Sequence, residues 1–145
     1  MNHILAIDYG LKRTGLAFAI FPILIAHPYK TVPTKDLESY VEEFIKTNTV
    51  ITILIGLPLK MNHNSTNATS LVNAFKLKLI NKYPEINVVM YDERFTSLIA
   101  QKSMIEGNYK KSDRRKKENV DVIAATVILQ DYIRSKEIKD RQKHK

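Results

Sequence analysis

Three acidic positions stand where acids are costly. Asp8 ends the apolar run Ile4-Leu5-Ala6-Ile7, the pair Asp92-Glu93 follows Val88-Val89-Met90-Tyr91, and Asp121 opens the apolar stretch Val120 to Ile133. A carboxylate in apolar surroundings must be paired, hydrogen-bonded or holding a metal. Three of them brought together would repel, and at least one pKa would rise. Divalent cations relieve that repulsion. Oxygen ligands without cysteine, completed by phosphate oxygens of a substrate, are the donor set that Mg²⁺ or Mn²⁺ prefers. Two such ions roughly 4 Å apart can activate a water and stabilise the leaving oxygen of a phosphodiester.

Each acid also has a plain structural reading. Asp8 could accept amides of its own turn from Gly10 or Lys12, and Asp92 or Glu93 could cap a following helix. Asp121 could pair with Lys116 or Lys117. Glu118, one turn earlier, suits a first-turn partner of the helix dipole. All of these holding together is less economical than one shared site.

The elements that must position the acids follow from pattern. Ile4 to Tyr9 and Leu16 to Ile20 read as strands joined by the turn Leu11-Lys12-Arg13-Thr14-Gly15, with a third strand from Ala26 to Val32 limited by Pro22, Pro28 and Pro33. Leu37, Tyr40, Val41, Phe44 and Ile45 recur at helical spacing, with Thr34 placed to cap that helix and Asp36 and Glu38 in its first turn. Val50 to Ile55, β-branched and stopping at Gly56, reads as a buried parallel strand. Ala68, Leu71, Val72, Phe75 and Leu79 mark a second helix ended by Pro84. Ile86 to Tyr91 is another strand, Thr96 can cap a helix through Ile105, and Val120 to Ile133 is a helix apolar nearly all round.

The order β-β-β-α-β-α-β-α-α predicts an α/β fold, a mixed sheet with helices on both faces. Ligands of such sheets collect at the carboxyl ends of the parallel strands. Asp8, Gly56 and Asp92-Glu93 all fall at such ends. Helical spacing puts Asp121 with Ala124, Ala125 and Ile128, on the face expected to meet the sheet.

Composition narrows the field. The chain has 145 residues, 44% hydrophobic and 26% charged, the profile of one globular domain. One domain is expected over 1–134, and a frayed or disordered charged tail over 135–145. No apolar stretch nears the roughly 20 residues of a membrane span. The start Met1-Asn2-His3-Ile4 lacks a signal-peptide pattern. Zero cysteines exclude disulfides, thiolate catalysis and Cys-ligated zinc. The expectation is a cytoplasmic protein.

A net charge of +8 and a pI near 9.6 favour a polyanionic partner. The run Lys110-Lys111-Ser112-Asp113-Arg114-Arg115-Lys116-Lys117 holds six cations and one anion. So dense a patch repels itself unless an anion relieves it. Lys12 and Arg13, in the turn after Asp8, are further cations expected to meet nucleic acid. His3, His27, His63 and His144 have no metal-ligand spacing.

These residues carry a resemblance. The chain resembles the YqgF/RuvX family, which has a ribonuclease H-like fold related to the RuvC junction resolvases. The likeness runs from about Ile4 to Tyr132. It rests on Ala6-Ile7-Asp8-Tyr9-Gly10 with Arg13-Thr14-Gly15, on Ile55-Gly56-Leu57-Pro58-Leu59, on Asp92-Glu93-Arg94-Phe95-Thr96, and on Val120-Asp121 with Ala124-Ala125 and Ile128-Leu129-Gln130. The resemblance implies metal-dependent cleavage of nucleic acid, with maturation of the 5′ end of pre-16S rRNA as the leading role and Holliday-junction resolution as the alternative. It makes Asp8, Glu93 and Asp121 the catalytic, metal-holding triad and Mg²⁺ or Mn²⁺ the cofactor. Gly10, Gly56, Leu57 and Pro58 become active-site loop positions. Arg94, with Lys110, Lys111, Arg114, Arg115, Lys116 and Lys117, would contact nucleic acid. The partners implied are pre-rRNA or ribosomal particles, or branched DNA, met by a monomer or homodimer.

Two departures from the family pattern flank this site. Asn62-His63-Asn64-Ser65 stands where many members have an Asp-Gly turn, and Ser112-Asp113-Arg114-Arg115 where many have glycines. Neither removes an acid, but both bear on substrate preference.

Rival readings are weaker. Gly10 to Gly15 has the glycine spacing of a P-loop, yet Leu16-Ala17 stand where Lys and Ser/Thr are required. An actin-type ATPase would need a second lobe. A non-catalytic nucleic-acid-binding module would leave the acids structural, and no RRM-like aromatic pair or zinc site supports it.

Overall fold

A computed structural model describes residues 1–22, 25–57, 66–92 and 117–143. Strand β1 (Asn2–Asp8) pairs antiparallel with β2 (Arg13–Ile20), which pairs antiparallel with β3 (His27–Pro33). A 3-10 turn (Thr34–Asp36) leads into α1 (Leu37–Thr47). Then come β4 (Thr49–Leu57), α2 (Thr66–Lys82), β5 (Asn87–Asp92) and a long α3 (Lys117–Lys143). The sheet order is β3-β2-β1-β4-β5, with β1, β4 and β5 mutually parallel.

Alternation along the strands sorts two cores. Leu5, Ile7, Leu16, Ile53 and Ile55 face α1 and α2, where Val41, Phe44, Val72, Phe75 and Leu79 cover them. Ile4, Ala6, Ala17, Ala19 and Leu54 face α3, meeting Ile123, Ala125, Ile128, Leu129 and Tyr132. The alanines on that second face let α3 lie close across β1 and β2. Helices therefore cover both faces of a mixed sheet, as expected. Leu54 is fully buried beneath α3. Leu54→Ala is expected to cost about 2–5 kcal/mol of stability, read as a lowered urea midpoint at unchanged slope.

Local details differ from the pattern reading at several places, among them β4, which runs through Gly56 to Leu57 rather than stopping at the glycine. Strand β2 begins at Arg13 rather than Leu16, because Arg13 and Thr14 pair with Pro33 and Val32 of β3. Thr34 does not cap α1: the helix N-cap is Asp36, without a side-chain bond, and the Thr34 hydroxyl is engaged elsewhere. The helix expected between Thr96 and Ile105 lies outside the described residues. Helix α3 continues past Ile133 to Lys143, beyond the end of its apolar pattern. Among the described residues, no helix is long and apolar enough to cross a membrane.

Candidate active site

The carboxyl ends of the three parallel strands meet along one row. Register pairs Asp8 with Gly15 of β2 on one side and Gly56 of β4 on the other, and Gly56 with Tyr91 of β5. One residue further, Leu57 pairs with Asp92. Asp8 shares the α3 face with Ile4 and Ala6, by strand alternation. It is flanked across the sheet by two glycines, which bring no side chain against its carboxylate. Only 8% of Asp8 is exposed. Its Oδ1 is buried and takes no hydrogen bond among the described residues, although the residue as a whole is engaged.

The loop after Asp8 is tied down. The Thr34 hydroxyl donates to the Gly10 carbonyl at 2.6 Å, and the Thr34 amide donates to the Lys12 carbonyl at 3.0 Å. Thr14 Oγ1, fully buried, lies 2.9 Å from Thr34 Oγ1. Sequence reasoning missed this link. The available signal was a hydroxyl in an otherwise apolar strand, which must find a partner when buried.

Gly10 has a steric reason of its own. A Cβ there would overlap the backbone carbonyl oxygen of Arg13, which cannot swing aside as a side chain could. Gly10→Ala is therefore expected to cost about 1–3 kcal/mol, measured by chemical denaturation. A midpoint equal to that of the wild type would show that the loop re-forms freely.

Tyr9 points the other way, into the α1/α2 core, with its ring 5.7 Å from Phe75. Burial pushes its phenol above the ordinary range. The charge of Lys78 pulls it back and that of Glu38 adds to the rise. A cleft of about 320 Å³ opens beside it, lined in part by Thr34, Lys35, Glu38 and Lys78. That cleft lies on the face opposite Asp8 and is not the acidic site.

Of the other residues expected at the site, Lys12 is exposed and Arg13 partly buried at the start of β2. Gly56 is buried in the row with Asp8, and Leu57 ends β4. Asp121 lies in the early turns of α3, and Ala124, Ala125 and Ile128, three, four and seven positions on, are buried. Lys117 begins the same helix. Pro58, Glu93, Arg94, Lys110, Lys111, Arg114, Arg115 and Lys116 lie outside the described residues, as does His63. Among the described residues no group of three or more His, Asp or Glu side chains forms, Glu93 and the Asp121 side chain not being among them.

The donor chemistry fits a hard divalent cation. Asp8 is a buried carboxylate whose Oδ1 takes no hydrogen bond among the described residues, an oxygen ligand of the hard kind, and cysteine is absent from the chain.

Comparison with known proteins identifies the family and the fold. The pattern that defines the RuvX family, described as "Holliday junction resolvase", matches residues 2–135. A protein of Bacteroides thetaiotaomicron named "Putative pre-16S rRNA nuclease" is 43% identical over 136 residues, covering 94% of this chain and 99% of its own. One of the same name from Flavobacterium johnsoniae is 38% identical over 136 residues, with 94% and 99% covered. Among solved structures, Thermus thermophilus RuvC in complex with a Holliday junction substrate superimposes with a TM-score of 0.58 at 14% identity, covering 93% and 96% of the two chains. The fowlpox virus Holliday junction resolvase gives 0.54 at 15% identity, covering 92% and 98%. These structural likenesses establish a shared ribonuclease H-like fold.

Proposed function

The chain belongs to the RuvX family, and on that footing we propose that it is a nuclease hydrolysing phosphodiester bonds, acting on the 5′ end of pre-16S rRNA. The observation that carries this reading is the buried Asp8 at the junction of β1, β2 and β4, set between Gly15 and Gly56. Relatives covering nearly their whole length bear the pre-16S rRNA nuclease name.

In this reading Asp8, Glu93 and Asp121 hold Mg²⁺ or Mn²⁺. Glu93 directly follows β5, whose last residues pair with Gly56 and Leu57, and Asp121 stands on the helix that packs across β1. The metal, when bound, supplies charge neutralisation for the phosphate and lowers the pKa of a water. The chain's own residues do the positioning. Gly10 and Pro58 shape the loops at the strand ends, the Thr34 hydrogen bonds fixing the first of these, while Gly56 and Leu57, expected in a loop, are the last two residues of β4 and act from the strand end. Lys12, Arg13 and Arg94 meet phosphates near the site. Lys110, Lys111 and Arg114 to Lys117 meet them further along the strand.

The function places the protein in the cytoplasm, where ribosomal precursors are cut. Trimming an RNA end requires only a monomer, whereas symmetric cleavage of a four-way junction would call for a homodimer. The family description as junction resolvases favours that second substrate. Incubating the purified chain with pre-16S rRNA and, separately, with a four-way DNA junction, each with Mg²⁺ or Mn²⁺, decides between them. Cut RNA and intact junction are expected. A cut junction with intact RNA reverses the assignment, and no cutting of either refutes the nuclease reading.

A further inference from the structure

Edge strand β3 carries aromatic side chains that the core does not absorb. Tyr29 is 41% exposed and His27, two residues before it on the same face, is exposed as well. Beneath them lies a supporting layer. Phe18 stands 5.5 Å from His27 in a tilted arrangement and 5.9 Å from Tyr29 edge-on, and Phe44 of α1 lies 5.5 Å from Tyr29. Lys30 sets its ammonium 4.8 Å from the Tyr29 ring centre and 5.0 Å from that of Tyr40. Rings held by other rings are pre-oriented, so little entropy is lost when a further flat group lands on them.

An exposed edge strand commonly invites another strand, but this one resists it. Pro28 and Pro33 lack amide donors, and Lys30 adds a charge. Neither β2 nor β3 contains an acid, so nothing on these strands repels a polyanion. Exposed aromatic rings, with a cation over that of Tyr29 which an incoming base would displace toward its phosphate, match the chemistry of unpaired nucleobases on a phosphate chain, on a protein of net charge +8.

We propose that the His27–Tyr29 surface of β3 is an accessory site on which unpaired bases of single-stranded RNA stack. This deepens the nuclease reading and rests on it for the identity of the strand. Phe18, paired with His27, is opposite Leu5, three residues before Asp8 in β1. The surface therefore lies about 10 Å along the sheet and about 10 Å across it from the acidic site, but on the α1 face, opposite the α3 face that Asp8 shares, so a strand reaches it by passing around the β3 edge. A single strand of several nucleotides leaving the site can make that turn. The consequence is a preference for RNA with an unpaired segment beside the cut.

The test is RNA binding by the full-length protein in EDTA, where no cleavage occurs. Because the chain has no tryptophan, Tyr29→Trp gives a single reporter. Its fluorescence is expected to be quenched by single-stranded RNA and little affected by a duplex of equal length. Replacing both His27 and Tyr29 by Ala should weaken single-strand binding about tenfold or more, in line with stacking on aromatic rings. Tyr29→Phe should stay within about twofold of wild type, since the ring face is kept. Fluorescence that does not change while anisotropy reports a bound strand overturns the proposal. So does wild-type affinity of the double Ala variant, or equal binding of the duplex. A chain that binds single strands this way but cuts nothing refutes the nuclease reading and leaves the surface standing. A chain that binds no RNA overturns the surface proposal directly.

Discussion

Asp8→Asn is expected to lower RNA cleavage by at least about 10³-fold while leaving the fold and RNA affinity intact. The substitution keeps the shape of the side chain and removes only its charge. In the row Gly15-Asp8-Gly56 no neighbouring side chain across the sheet can take over as a ligand. Asp8 is nearly buried, so neutralising it removes a desolvation cost and the melting temperature should hold or rise. A protein that merely uses Asp8 to organise its hairpin would behave in the opposite way, losing stability and keeping activity. Cleavage rate and melting temperature measured on one preparation separate the two.

The second large effect concerns charge. Exchanging Lys110, Lys111, Arg114, Arg115, Lys116 and Lys117 for Gln removes six cations from a chain of net charge +8. Each cation engaged with phosphate contributes about 0.7 to the slope of log affinity against log salt for a single strand, or about 0.9 for a duplex. If all six engage RNA, the slope should flatten by about 4. Roughly 10²–10³-fold of the affinity lost between 50 and 200 mM salt should then disappear. Binding should weaken alike for different sequences, because phosphates carry no sequence information. A slope equal to that of the wild type would mean that the run is only solvated.

The sheet was legible from the sequence because its strands are short, apolar and punctuated. Val50 to Ile55 stops at Gly56, and the structure pairs that glycine with Asp8. Helices α1 and α2 announced themselves by the spacing of Val41 and Phe44, and of Val72, Phe75 and Leu79, all now buried. The Thr34 hydrogen bonds were not legible. A threonine before a helix has cap chemistry in any sequence, and its partner, the Gly10 carbonyl, is 24 positions away. Nor could pattern show that Arg13 belongs to β2, since its pairing with Pro33 depends on where β3 ends. The surface of β3 escaped for a related reason. His27 and Tyr29 gain meaning only when Phe18 and Phe44, from other elements, are seen to support them.

Three carboxylates from separate elements are proposed to act as one metal site. Its most direct test is the rate of pre-16S rRNA cleavage as a function of Mn²⁺ concentration, measured for Glu93→Gln and Asp121→Asn beside Asp8→Asn. Residues acting as a unit are strongly non-additive. Each single variant is therefore predicted to fall to a similar low rate, with the triple variant scarcely lower. Wild-type rate and Mn²⁺ dependence in either Glu93→Gln or Asp121→Asn would contradict the claim.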